Sequence, residues 1–154
     1  MTLLNLSKYI HHRVSATKNL KCCIPFVNKY MKQYTYAKHK SYYTSILKHS
    51  HIKFNPYGYR RIPIYDLENI EILLLEWKPK SYSPIHDHHD NGCIMLLLNN
   101  ELVENKYCIH TQTLLKTHNL PLHVIQYIDN QKHIHSIQNT SNQVNSLSLH
   151  IYPK

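Results

Sequence analysis

Residues 83–93 read SPIHDHHDNGC and are followed at once by the apolar run IMLLL. Imidazole and thiol side chains bind metals and move protons, so this stretch is where chemistry is sought first. His86 and His88 are two residues apart. On extended backbone such residues share a face, so two imidazoles can reach one metal ion. His89 has the opposite parity and is expected to face solvent. The chain contains 14 histidines, so the pair needs a third donor from elsewhere. HIHSIQN offers His133 and His135, again of one parity, and LSLHIY offers His150.

The last of these segments carries more than an imidazole. Leu147, Leu149 and Ile151 form one face of a strand, and Ser148, His150 and Tyr152 form the other. A buried row of hydroxyl, imidazole and phenol is costly unless its members bond to one another or to a ligand. This row is therefore a candidate wall of a site.

Short strands must position these groups. From about residue 62, IEILLLEW, IMLLL, ELVENKYCI, LHVIQYI, IHSIQN and LSLHIY are short, apolar or alternating, and separated by polar breaks. That pattern predicts an antiparallel sandwich or barrel. IMLLL and ELVENKY are expected to form a hairpin through Asn99-Asn100, since Asn tolerates the left-handed conformation. The first half has a helical period, with apolar residues at Phe26, Val27, Tyr30, Met31, Tyr34, Tyr42, Ile46 and Leu47. Pro25 suits a first helical turn, and NPYGYRR reads as a turn leading into strands. The expected organisation is a basic helical segment, 1–56, packed on a barrel, 57–154, as one structural domain. Only two glycines are present, few for a fold with many tight turns.

The chain has 154 residues, enough for one core. Residues 1–61 hold 12 of the 18 Lys and Arg and no Asp or Glu, whereas the remainder holds 6 basic and 9 acidic residues. An acid-free basic segment suits either a solvated helical face or an anionic partner such as nucleic acid; the solvated face is the reading adopted. Cys22, Cys23, Cys93 and Cys108 form no C-x-x-C pair, which argues against a zinc ribbon or a thioredoxin-type motif. No secretory leader is read at the N-terminus and no membrane span elsewhere. A cytoplasmic monomer is expected.

Taken in order, Trp77, SPIHDHHDNGC, IHSIQN and SLHIY resemble cysteine dioxygenase, an iron enzyme of the cupin superfamily. The resemblance covers roughly residues 57–153 and implies a mainly β fold, a cupin-type antiparallel barrel with a helical N-terminal segment. Cupins commonly place a glutamate ligand after H-x-H. Here Cys93 stands at that position, as it does in cysteine dioxygenases, which keep three histidines. Ser148 lies thirteen residues beyond His135, the family's spacing, so the resemblance selects His135 over His133 as the third metal ligand beside His86 and His88. Tyr-x-Arg upstream selects Arg61, with Tyr59, for the substrate carboxylate; Arg60 is the alternative. Asn100 replaces a family glycine, Ser136 replaces an arginine, and no counterpart of the family's C-terminal tail is expected.

The resemblance implies Fe(2+) as cofactor and L-cysteine and O2 as substrates, with cysteine sulfinic acid as product. Three neutral imidazoles leave the full divalent charge on the ion, which suits an anionic thiolate. Tyr152, His150 and Cys93 carry the implied catalytic roles, Ser148 supports them, and Cys93 and Tyr152 are the pair that forms a thioether cross-link in the family. The alternatives are a dioxygenase for another small thiol acid, such as 3-mercaptopropionate, and an inactive cupin whose basic N-terminal half binds nucleic acid.

Overall fold

The computed structural model describes residues 3–17, 19–32, 36–88, 92–128 and 133–154. Three helices come first: α1 (Leu3–Thr17), α2 (Ile24–Met31) and α3 (Tyr36–His49). A 3-10 turn, Leu20–Cys23, joins the first two and is capped by the Asn19 side chain, which accepts from Lys21 N–H. Pro25 stands at the start of α2, as its missing N–H predicts. Leu6, Ile10 and Val14, spaced by four, put one stripe of α1 into the core. The sequence reading did not single out this helix, although the spacing was there. Of the two tyrosines at the middle of α3, Tyr43 is fully buried and Tyr42 is exposed, so Tyr43 takes the expected place of Tyr42, while Ile46 and Leu47 pack on the core as expected. Tyr34 and His89 lie outside the described residues.

Eight strands follow: β1 (Tyr59–Leu67), β2 (Ile70–Trp77), β3 (Cys93–Asn99), β4 (Val103–Tyr107), β5 (Leu114–Asn119), β6 (Ile125–Ile128), β7 (Ile134–Gln138) and β8 (Ser146–Pro153). They form two antiparallel sheets, ordered β1-β2-β8-β3-β6 and β5-β4-β7. Pro63, which cannot donate to a neighbour, lies in β1 at a sheet edge and next to a register shift.

The central strands are buried on both faces. Ile72, Leu74, Ile94, Leu96, Leu149 and Ile151 pack outward against Leu6, Ile10, Val14, Leu20, Val27 and Tyr43 of the helical segment. Leu73, Leu75, Trp77, Cys93, Met95 and Leu97 point the other way, into a second cluster with Leu102, Leu120, Ile128 and Ile137. Burial on both faces explains why ILLLEW and CIMLLL are continuous apolar runs rather than alternating ones. Each fully buried Leu or Ile contributes roughly 1.5–3 kcal/mol relative to exposure.

The expected β3–β4 hairpin does not form. β3 pairs with β6 and β8, and β4 pairs with β5 and β7, so Asn99-Asn100 carries the chain from one sheet to the other. Asn100 does take the left-handed conformation, with φ 54°. Its amide donates to the Asn145 carbonyl at 2.6 Å, which fixes the crossing. Lys80, Gln112 and His123 also have positive φ, which is how a chain with two glycines makes its turns. One glycine is irreplaceable. Gly92 has φ 72°, and a Cβ there would lie 2.3 Å from the Ile128 carbonyl oxygen, so only glycine delivers the chain into β3 at Cys93.

Candidate metal centre

His86 and His88 precede β3 in a segment that is not a regular strand. Residues 82–86 nevertheless run antiparallel to β7: Tyr82 bridges Gln138 and His86 bridges His135. The His86 and His135 backbones exchange two hydrogen bonds, of 2.9 and 3.0 Å. The extended backbone at His86 keeps the two-residue parity, and the His86 and His88 rings lie 5.0 Å apart. His135 completes the cluster. One nitrogen from each of the three rings lies within 4.8 Å of the others.

The hydrogen bonds leave the right nitrogens free. His86 Nδ1 lies 2.8 Å from the Pro84 carbonyl oxygen, and so carries the proton and donates it. His135 Nδ1 lies 2.8 Å from Glu104 Oε1 and likewise donates. Both rings therefore turn Nε2 toward the centre. His88 Nε2 and His135 Nε2 are 2.8 Å apart, a spacing at which two lone pairs repel unless a proton or a cation lies between them. Burial, followed by the neighbouring His135, pulls the His86 pKa below its ordinary value, favouring the neutral form that binds metal. Three converging imidazoles, two of them with the outer nitrogen held by a hydrogen bond, fit a divalent first-row ion.

The polar row behind the cluster is bonded end to end. Trp77 Nε1–H donates to Ser148 Oγ at 2.9 Å. Ser148 Oγ lies 2.9 Å from His150 Nε2, and His150 Nδ1 lies 3.0 Å from the Tyr152 hydroxyl. An indole nitrogen only donates. When the Ser148 hydroxyl donates to His150 Nε2, His150 carries its own proton on Nδ1 and donates it to the Tyr152 oxygen. The phenol proton then faces the Cys93 sulfur, with which Tyr152 shares a hydrogen bond. Burial, followed by the cationic surroundings of His88 and His135, holds His150 well below the usual imidazole pKa. Burial, followed by Cys93, holds Tyr152 well above the usual phenol range. The row is therefore neutral, and Tyr152 keeps its proton.

Cys93 is fully buried, and burial drives its thiol pKa far above the usual value, against the opposing hydrogen bond with Tyr152. Ile94 pairs with Ile151 across β3 and β8, so Cys93 and Tyr152 stand at the next step of the register. Both pack in the inner cluster.

The two arginines separate cleanly. Arg60 opposes Glu76 on the outer side of the β1–β2 pair. Its Nε donates to Glu76 Oε2 at 2.7 Å, and its other nitrogens reach the Ile52 and Leu47 carbonyls. Arg61 turns inward, its guanidinium carbon 5.4 Å from the centre of the Tyr152 ring. With Tyr59, Trp77, His86, His88, His150 and Tyr152 it lines a cavity of about 840 Å³. Tyr59 stacks on Trp77 at 4.6 Å. His133 is absent from the three-histidine cluster.

Sequence reasoning missed Glu104. It is fully buried, its carboxyl is pushed up by burial but brought below the usual range by the His135 hydrogen bond and the nearby positive charges, and it holds a candidate ligand. Parity offered a signal, since in ELVENKY it shares a face with buried Leu102. It also gave Trp77 no bonding role, because the indole's partner is 71 residues away.

The fold recurs among solved structures. A cupin domain from Bordetella pertussis Tohama I matches with a TM-score of 0.50 and 14% identity, over 66% of this chain and 99% of that one. An RmlC-like cupin from Shewanella frigidimarina NCIMB 400 matches with a TM-score of 0.53 and 8% identity, over 69% and 85%. The Cnp3 cupin domain of Schizosaccharomyces pombe matches with a TM-score of 0.54 and 10% identity, over 70% and 72%. At such identities the likeness speaks for the cupin fold alone, in keeping with the expected barrel. No described helix is long and apolar enough to cross a membrane. The model of the family described as cysteine dioxygenase type I matches residues 26–154, which include every candidate site residue and most of the helical segment, and the chain belongs to that family.

Proposed function

We propose that this protein is an iron-dependent thiol dioxygenase that oxidises L-cysteine to cysteine sulfinic acid. Sulfur gives up four electrons and both atoms of one O2 are added to it, so no external reductant is needed. The observation that carries this reading is the cluster of three imidazoles, His86, His88 and His135, at a cavity that His86 and His88 line together with the Arg61 guanidinium and the Tyr152 phenol. A ferrous ion held by His86, His88 and His135 supplies dioxygen activation and a Lewis-acidic site for a thiolate.

The protein's own groups do the rest. Arg61 holds the substrate carboxylate through paired N–H donors, and Tyr59 flanks it from its stack on Trp77. Tyr152 presents its phenol to the reacting groups, and His150 and Ser148 keep that phenol oriented. Holding both reactants in one cavity makes oxygen transfer to sulfur effectively intramolecular. Cys93 and Tyr152 are the pair proposed to form a thioether, a step that removes two hydrogens and takes dioxygen as its oxidant.

The test is oxygen consumption by the iron-loaded full chain over a panel of L-cysteine, cysteamine and 3-mercaptopropionate, with product mass. Turnover of L-cysteine with gain of two oxygen atoms is expected. His86→Ala and His135→Ala should each lose bound iron. Preference for 3-mercaptopropionate would reassign the substrate. Absence of turnover with every thiol, together with salt-sensitive nucleic-acid binding, would overturn the enzyme reading in favour of a binding role for the basic helices.

A further inference from the structure

The two oxygens of Glu104 have different neighbours. Oε1 accepts from the candidate ligand His135, as described above. Oε2 is buried and accepts no aligned hydrogen bond; the nearest nitrogens are His118 Nε2 at 3.1 Å and Lys106 Nζ at 3.7 Å. The three strands of the smaller sheet make this arrangement. Glu104 sits on the central strand β4, directly opposite His118 on β5, while on the other side Lys106 opposes His135 on β7. A line of groups thus runs across the sheet, from His118 through a buried carboxylate to the metal cluster.

His118 is out of character with its strand. The other five residues of β5 are exposed, and His118 alone is drawn in; its side chain is 23% exposed. Its ring turns toward a carboxylate that has no access to water. A buried carboxylate bonded through one oxygen can swing about its terminal bond, because that torsion is broad. A donor on the second oxygen removes the freedom. The position of Oε1, and with it the plane of the His135 ring, then depends on His118.

We infer that His118 is a positioning residue for the metal centre: its Nε2, the nearest donor within reach of the unsatisfied Glu104 Oε2, restrains the carboxylate, keeps Oε1 on His135 Nδ1–H and so aims His135 Nε2 at the ion. The inference rests on the reading of His86, His88 and His135 as a metal site. Lys106 adds charge from farther away, and His118 makes the direct contact.

The experiment titrates cobalt(II) into the purified full chain, following affinity and the visible d–d absorption, with no turnover required. Loss of a carboxylate bonded directly to a ligand typically costs 10–100-fold in affinity, so His118→Leu, one bond further out, should weaken binding by roughly threefold to tenfold and shift the band. His118→Gln, whose amide nitrogen reaches about as far as Nε2, should restore both. His118→Asn keeps polarity but stops short of Oε2, and should resemble the leucine variant. Wild-type affinity and an unmoved band in the leucine or asparagine variant overturn the inference. So does a glutamine variant that is equally impaired, since the contribution would then be bulk rather than the donor. If wild type takes up no cobalt, or His135→Ala binds it as wild type does, the metal-site reading itself fails, and that outcome is distinct from the others.

Discussion

The indole N–H of Trp77 and the hydroxyl of Ser148 meet at 2.9 Å across strands β2 and β8, and this contact anchors the chain of hydrogen bonds that runs through His150 to Tyr152. Trp77→Phe keeps most of the ring and removes the donor. The variant should lose roughly 1–3 kcal/mol of stability, the usual cost of stranding a buried polar partner. Turnover should fall by about tenfold or more as the phenol loses its orientation. Iron content should stay at the wild-type level. Denaturant melts, initial rates and metal analysis together check the prediction, and unchanged melts and rates refute it.

Adjacent arginines should fail in different ways. Arg61→Ala should reduce use of L-cysteine more than use of cysteamine, which has no carboxylate for the guanidinium to hold. Arg60→Ala should leave that ratio unchanged. It should instead destabilise the fold by roughly 2–4 kcal/mol, because buried Glu76 loses its part-buried cationic partner and, among the described residues, keeps the Asn145 amide. Steady-state kinetics with both thiols, beside melts of both variants, separate the roles. If Arg60→Ala changes the ratio, the assignment of Arg61 is wrong.

The four cysteines should differ sharply toward iodoacetamide. Cys108 is partly exposed, and hydrogen bonds from the Thr111 hydroxyl and nearby backbone pull its pKa down, so it should label first. Cys23 is buried, with its pKa pushed up to about 12 by burial and by Cys22. Cys93 is fully buried, and burial likewise drives its thiol pKa up. Both should label only after unfolding. Peptide mass mapping over time reads the order, and early labelling of Cys93 contradicts its burial. A Cys93 that resists labelling even when unfolded identifies the thioether to Tyr152.

Acid should destabilise the metal-free protein earlier than carboxylates alone would. His150 is held well below its ordinary pKa near 6.5, and His86 is also lowered. As pH falls through the ordinary value the unfolded chain takes up these protons and the folded chain does not, so stability is full above about 6.5 and declines below it. Melting temperatures between about pH 7.5 and 5.5 should fall with pH, and His150→Gln should flatten the slope. A flat wild-type curve would mean that these imidazoles are not held neutral.

Much of the site was legible before any coordinates. Parity paired His86 with His88 and put Ser148, His150 and Tyr152 in one row, because side-chain direction on extended backbone is a local property. The resemblance then selected His135 over His133 and Arg61 over Arg60; His135 lies in the three-histidine cluster and Arg61 lines the cavity. The Asn99-Asn100 turn shows the limit. Local chemistry gave Asn100 its left-handed backbone correctly, but which strands that turn connects depends on pairing partners far along the chain.

What the sequence by itself determined was therefore the set of reactive side chains, their faces and the short strands that carry them. These depend on residue type and on neighbours one or two positions away. The tertiary structure decided what those side chains touch. Glu104 against His135 and His118, Trp77 against Ser148, and Arg60 against Glu76 are contacts made by sheet register, which brings together residues 14 to 71 positions apart. Periodicity is indifferent to register, and only the packed core, with helices on one side and the cavity on the other, selects it.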